Sequence, residues 1–232
     1  MSLRGSVLDV FTSLQGEGLR LGEKQVFVRF GGCNIRCDYC DEPGAIPILS
    51  GERASLGEVR KKVLWERTLH PEVSSCSVTG GEPLLHTVFL EEFLPWLRNQ
   101  GFFVSLETNG VLYRAFEKIA PSCDAVAMDL KFPSATRRKF WDAHRLFIRM
   151  APDKIFVKVV LTEKSTQEEF MEAVSLVEKV HPAIPFILQP VTPVAGVVPP
   201  EPRLVLSWMR KAKKSLEKVL LIPQWHPVWK LP

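Results

Sequence analysis

The sequence predicts an α/β protein, an abbreviated open (βα) partial TIM-like barrel with mostly parallel strands. Two observations lead there. Short β-branched and aromatic runs alternate with amphipathic segments, the pattern of βα units around a parallel sheet. Six of those runs are followed at once by a polar or glycine-rich signature: GGCNIRC, TGGEP, ETNG, DLK, QPVT and PQWHP. The carboxyl ends of parallel strands face one way, so all six signatures fall on one rim, where the loops of a barrel build its site.

Taken in order, the strands are expected at Gln25–Phe30, Ser74–Val78, Phe102–Leu106, Ala125–Met128, Ile155–Leu161, Ile184–Leu188 and Val219–Ile222, with helices between them. Capping boxes at Ser55 with Glu58 and at Ser165 with Glu168 mark two helix starts, each side chain satisfying the other residue's free backbone donor. The segment after Thr87, VFLEEFLPWLRNQ, reads as a helix that stops before Gly101, with Pro95 expected to kink or interrupt it. VTPVAGVVPPEP reads as an extended loop. With 46% hydrophobic residues and no internal repeat or low-complexity segment, residues 1–232 read as a single domain with one core.

The charge balance, 30 basic against 26 acidic residues for a formal +4, argues against nucleic acid as a partner, and the basic run RKAKKSLEK reads as a solvated helix face. The uncharged stretch Pro182–Pro200 is broken by six prolines and cannot form a continuous span, so no membrane contact is expected. MSLRGSVLDV lacks the apolar core of a secretory signal, which points to a cytoplasmic protein with reduced thiols.

The chemistry is carried by Cys33, Cys37 and Cys40. Their C-x₃-C-x₂-C spacing can hold three irons of a four-iron cluster and leave the fourth open, whereas an electron-carrying cluster is normally held by four thiolates. Something else then binds the open iron, and S-adenosylmethionine is the candidate. A structural zinc site is the alternative, but no fourth ligand stands nearby. The first histidine is His70, and Cys76 and Cys123 sit in apolar runs as buried, inert thiols. In GGE, the glycines allow close backbone approach and Glu82 can accept from an ammonium group; alone, the segment would be a tight turn with a surface glutamate. Asp129 and Lys131 could reach a ribose or carboxylate from the rim, or form an ordinary exposed ion pair. Gln189, with Pro190, ends the buried run IPFIL, where its amide needs partners that an adenine edge would supply. ETNG reads first as an Asn-Gly turn and helix start, and second as site lining.

Together, CNIRCDYC and the TGGEP of Thr79–Pro83 resemble the radical S-adenosylmethionine superfamily. That resemblance implies a [4Fe–4S] cluster on the three thiolates, with S-adenosylmethionine chelating the open iron. One electron breaks the sulfonium bond, and the resulting 5′-deoxyadenosyl radical, rather than any side chain, abstracts hydrogen. The implied cofactor contacts are Tyr39, Asp41, Gly81, Glu82, Asp129, Leu130, Lys131, Gln189 and Pro190. More narrowly, LQGEG at Leu14–Gly18, Arg29, the cysteine triplet, TGGEP, DLK, QP and the closing QWHPVWKLP resemble the 7-carboxy-7-deazaguanine synthases of queuosine and deazapurine biosynthesis.

This narrower resemblance implies conversion of 6-carboxy-5,6,7,8-tetrahydropterin to 7-carboxy-7-deazaguanine with loss of ammonia. Leu14, Gln15 and Gly16 would contact the pterin, and Arg29 would pair with its carboxylate as a bidentate fork. Thr79, His226 and the terminal carboxylate of Pro232 would also face substrate. A homodimer and a flavodoxin or ferredoxin as electron donor are implied in the same way. One departure stands out. Glu42 occupies the position where these synthases carry a threonine that helps bind Mg²⁺; its carboxylate could bind the metal, replace it or point to solvent. Two rivals are a glycyl-radical activating enzyme, against which LQGEG argues, and a non-catalytic zinc- or cluster-binding protein.

Overall fold

The computed structural model describes residues 3–231. Its sheet begins with a strand not expected from the sequence, β1 (Arg4–Leu14), which pairs antiparallel with β2 (Lys24–Phe30) on one side and with the short edge strand β3 (Glu52–Ser55) on the other. From β2 onward the pairing is parallel through β4 (Ser75–Gly80), β5 (Phe103–Thr108), β6 (Ala125–Asp129), β7 (Ile155–Leu161), β8 (Phe186–Pro190) and β9 (Val219–Leu221). The nine strands run β3-β1-β2-β4-β5-β6-β7-β8-β9, so the barrel is open, as expected. The helices are α1 (Leu56–Leu69), α2 (Thr87–Asn99), α3 (Tyr113–Ile119), α4 (Pro133–Thr136), α5 (Trp141–Met150), α6 (Gln167–Val180), α7 (Pro202–Ala212) and the terminal turn α8 (His226–Trp229).

A parallel sheet covered on both faces reads as continuous apolar runs; these strands alternate. Val26, Val28 and Phe30 of β2, Cys76 and Val78 of β4, Val104 and Leu106 of β5, Val126 and Met128 of β6 and Val157 and Val159 of β7 face the core. There they meet Phe89, Phe93, Phe116, Phe147, Phe170 and Trp208 from the helices, all at most 2% exposed. Each such side chain contributes roughly 1.5–3 kcal/mol by leaving water. The intervening positions, Phe27 and Arg29, Thr79, Ser105 and Glu107, Ala127 and Asp129, Phe156, Lys158 and Val160, line a cavity on the inner face. The period of two therefore divides each strand between stability and chemistry.

Several boundaries differ from expectation. The strand expected at Ile184–Leu188 slides to Phe186–Pro190, because the Ile184 N–H closes a turn on the His181 carbonyl and Pro185 has no N–H to give. The second capping box lies one residue on, at Thr166 with Glu169; the Ser165 hydroxyl instead accepts from the Thr162 N–H. The first stands as expected at Ser55 and Glu58. Helix α2 runs through Pro95 without interruption. β3 has no signal in the sequence, because ERAS carries no apolar run, as suits an exposed edge.

Candidate active site

Two motif loops meet at the carboxyl end of β2 and β4. The Gly81 N–H donates to the Phe30 carbonyl (3.0 Å), the Glu82 N–H to Gly32 (2.8 Å) and the Gly32 N–H to Ala45 (2.8 Å). This backbone zipper explains the glycine at 81: a Cβ there would stand 2.3 Å from the Gly32 oxygen and 2.6 Å from that of Ala45. Glu82 points inward. Fully buried, its carboxylate accepts from the Thr108 hydroxyl (2.8 Å) and from the backbone N–H groups of Leu84 (3.0 Å) and Asn109 (2.9 Å). Burial raises its pKa to about 7, against the lowering effect of these donors. It thus ties the TGGEP turn to ETNG.

Asn109 continues the tie. Its Nδ2 donates to Asn34 Oδ1 (2.8 Å) inside the cysteine loop, and its carbonyl accepts from Nε2 of the buried His144 (3.0 Å), whose pKa burial lowers to about 4. ETNG is therefore both the expected turn, with Asn109 Oδ1 accepting from the Val111 N–H, and a wall of the site.

The two ends of the chain close the cavity. The Trp225 N–H donates to the Gly16 carbonyl (2.9 Å), and a Cβ on Gly16 would lie 2.7 Å from that of His226. The Gln224 amide donates to Glu17 (2.8 Å) and Asp41 (3.2 Å). Beneath them runs a largely buried chain of alternating charge: Glu17 pairs with Lys158, Lys158 with Asp129 (3.3 Å), Asp129 with Lys131 (2.6 Å), and Lys131 reaches the Tyr39 hydroxyl at 3.4 Å. Burial pushes the Glu17 and Asp129 carboxyls up, but Lys158 and Lys131 bring both below their ordinary values. Lys131 is thus no exposed surface pair. His226 stands 3.4 Å from Asp41 and 3.7 Å from Glu17, which raise its pKa against burial.

Glu107 forms the floor. It accepts from Gln15 Nε2 (2.8 Å), the Ser77 hydroxyl (2.9 Å) and the Thr79 hydroxyl (2.9 Å). On the wall, Arg29 lies over the Phe11 ring at 5.0 Å and donates to Glu42 Oε2 at 2.8 Å. The cavity, about 530 Å³, also takes in Cys33, Cys37 and Cys40, all partly exposed. Burial raises all three thiols. Cys76 and Cys123 are buried away from it, and burial pushes Cys123 to about 12, as inert thiols require.

The model of the radical SAM superfamily matches residues 27–181. The 7-carboxy-7-deazaguanine synthase of Geobacter sulfurreducens is 37% identical across 97% of this chain and 98% of its own length. The chain belongs to the 7-carboxy-7-deazaguanine synthase family. The synthase of Methanopyrus kandleri is 37% identical over 81% of each chain. Among solved structures, QueE from Escherichia coli shares the fold, with a TM-score of 0.63, 16% identity and coverage of 94% of this chain and 93% of that one.

Radical SAM membership brings a [4Fe–4S] cluster and S-adenosylmethionine, and the residues present fit them. Three thiolates share one loop at the cavity mouth. Gln189 does not itself line the cavity, but it is fully buried beside Val160, which does, and among the described residues neither of its amide atoms has a partner. Asp129 Oδ1 is likewise buried and unpartnered.

Of the residues expected at the site, Leu14, Gln15, Gly16, Arg29, Tyr39, Asp41, Glu42, Thr79, Gly81, Asp129, Lys131 and His226 line the cavity with the cysteines. Glu82 and Leu130 turn into the core, Pro190 stands off the lining, and Pro232 lies outside the described residues. Glu17, Glu107 and Gln224, which also line the cavity, lie inside the motifs LQGEG, ETNG and PQWHP, whereas Lys158 lies outside every motif. For Lys158 a signal existed, a lone charge inside the apolar strand IFVKVVL. Among the described residues no helix is long and apolar enough to cross a membrane.

Proposed function

We propose that this protein is a 7-carboxy-7-deazaguanine synthase, contracting the ring of 6-carboxy-5,6,7,8-tetrahydropterin with loss of ammonia. The observation that carries the proposal is the meeting of LQGEG and QWHP over a polar cavity that contains Arg29 and the cysteine triplet. When bound, the cluster and S-adenosylmethionine supply the radical that starts the chemistry.

The chain's own residues bind and orient. Cys33, Cys37 and Cys40 would hold the cluster. The backbone at Gly81 would lie against the methionine end of the cofactor, Asp129 and Lys131 against its ribose and carboxylate, Tyr39 and Gln189 against adenine. At the substrate end, Arg29 takes the carboxylate and Glu107 accepts from the amino and ring N–H groups of the pterin, a charge-assisted pairing. Leu14, Gln15, Gly16 and Thr79 complete that wall. His226 and Lys158, each beside a carboxylate, hold protons near the departing nitrogen. The Glu42 carboxylate, at the position where a magnesium ligand is expected, is engaged by Arg29. The electron comes from an external donor of flavodoxin or ferredoxin type.

The test is anaerobic reconstitution with iron and sulfide, then addition of dithionite, S-adenosylmethionine and the carboxytetrahydropterin, with products followed by mass spectrometry. Formation of 7-carboxy-7-deazaguanine is expected. 5′-Deoxyadenosine without that product would sink the substrate assignment while leaving the radical chemistry.

A further inference from the structure

Asn109 is buried, and each of its polar groups is engaged. Its N–H donates to Glu82 Oε2 (2.9 Å), its carbonyl accepts from His144 Nε2 (3.0 Å), its Oδ1 accepts from the Val111 N–H (3.1 Å) and its Nδ2 donates to Asn34 Oδ1 (2.8 Å). One residue thus joins the TGGEP turn, helix α5, its own turn and the loop that carries the cysteines. The junction is stiff at the Glu82 end, because the Thr108 hydroxyl holds the same carboxylate (2.8 Å).

His144 fixes the carbonyl side. A carbonyl only accepts, so Nε2 carries the proton, and Nδ1 is left bare, buried and without a partner among the described residues. A buried acceptor left unpaired costs stability, so a side chain serving packing alone would be apolar here. The cysteine loop needs such a brace. Among the described residues the N–H groups of Asn34, Ile35 and Arg36 find no backbone acceptor, whereas the Cys33 N–H donates to Ile46 (3.1 Å) and the Asp38 N–H to Ala135 (3.0 Å). The stretch between the first two cysteines is therefore held at its ends, by the buried Ile35 and by the Asn34 side chain.

We propose that Asn109, braced by His144, is a positioning residue of the cluster site: through Asn34 it sets the direction of the Cys33 thiolate, and through Glu82 it sets the turn against which the methionine end of the cofactor lies. Asn109 acts through these neighbours and not on the reacting atoms. One peptide and one amide then keep a cluster ligand and the cofactor turn in a constant relation, which a site of this kind needs from the groups behind its ligands. This rests on the assignment of Cys33, Cys37 and Cys40 as cluster ligands under the proposed function.

The test uses two pairs of variants. Asn34→Ala removes the loop's half of the junction at a partly exposed position, whereas Asn34→Asp keeps the acceptor; His144→Phe removes the donor to Asn109, whereas His144→Gln keeps one. In the cluster-free protein, amide hydrogen exchange at Cys33 should be about tenfold faster in Asn34→Ala and His144→Phe, the equivalent of one lost hydrogen bond. It should stay close to the wild-type rate in Asn34→Asp and His144→Gln. In the reconstituted, dithionite-reduced protein, the electron paramagnetic resonance signal of the wild type should shift as a whole when S-adenosylmethionine is added. In Asn34→Ala and His144→Phe part of it should stay unshifted, and His144→Gln should restore the full shift.

Wild-type exchange at Cys33 together with a fully shifting signal in Asn34→Ala overturns the proposal. So does a lowered melting temperature in His144→Phe with exchange at Cys33 unchanged, which would make His144 a core residue and nothing more. Should His144→Phe fail to fold, Asn34→Ala alone decides. Failure of the wild-type protein to take up iron overturns the cysteine assignment and this proposal with it, and is seen before any variant is compared. 5′-Deoxyadenosine without 7-carboxy-7-deazaguanine in the wild type strikes only at the substrate, and the exchange and resonance results still decide the role of Asn109.

Discussion

Glu42 Oε2 accepts a hydrogen bond from Arg29 Nη1 at 2.8 Å, so the carboxylate that follows the cysteine loop occupies the guanidinium proposed to receive the substrate carboxylate. Both side chains are partly exposed, and such a pair contributes about 0.2–1 kcal/mol. Substrate would displace Glu42 at that modest cost. Glu42→Gln should therefore lower KM for the carboxytetrahydropterin about two- to five-fold with kcat little changed, while Arg29→Ala should raise KM at least tenfold. Steady-state kinetics with and without magnesium decides. A raised KM in Glu42→Gln would mean that the carboxylate itself holds substrate or metal.

Lys158 joins Glu17 to Asp129 in a largely buried network, each side chain 13–17% exposed. Removing one member of a buried pair leaves an uncompensated charge and costs about 3–5 kcal/mol. Lys158→Met should show a loss of that size in urea unfolding of the cluster-free protein. Adding Glu17→Gln should recover on the order of 1 kcal/mol or more, since it removes one stranded carboxylate. Additive losses would refute the network.

Glu82 gives a pH signature. Its pKa is about 7 in the fold against an ordinary 4.5, so folding takes up a proton, and the associated stability is fully present below about pH 4.5 and lost as pH rises through about 7. Glu82→Gln removes that dependence. It also leaves the Leu84 or Asn109 N–H without its acceptor, at about 1–3 kcal/mol. The wild type's stability advantage over the variant should therefore shrink steadily between about pH 4.5 and 7; a constant difference across that window would contradict the buried, protonatable carboxylate.

Gln189 donates to nothing and accepts from nothing. Gln189→Leu should leave the melting temperature of the ligand-free protein unchanged or higher, because a buried amide without partners is costly. It should weaken S-adenosylmethionine binding about tenfold, the cost of one or two lost hydrogen bonds. Titration calorimetry on the reconstituted protein measures the second effect. Unchanged affinity would remove Gln189 from the cofactor site.

How much of this was legible beforehand depended on how local each signal was. The parallel strands β2 and β4–β9, the Ser55 capping box, the cysteine spacing and the single rim of motifs all follow from a few adjacent residues, and they stand in the structure. The ends of elements were less legible. Ser165 and Thr166 are both good caps three residues before a glutamate, and the Thr162 N–H, by bonding Ser165, settles which one starts the helix. β1 is not legible locally, because its residues serve as a strand only once β2 and β3 supply partners on both sides.

The sequence by itself determined the chemistry available, three thiolates on a short loop and polar side chains at the ends of strands, because spacing within a loop and alternation along a strand are set by local geometry. Only the tertiary structure decided the pairings. Gly16 meets Trp225, Glu17 meets Lys158, and Arg29 meets Glu42 across separations that no local rule spans. It also turned Glu82 inward, away from the cavity lining, because Leu84 beside its own turn and Thr108 and Asn109 of ETNG offer its carboxylate three donors. Contacts of that kind arise from the curvature of the sheet, which brings the two ends of the chain over one cavity.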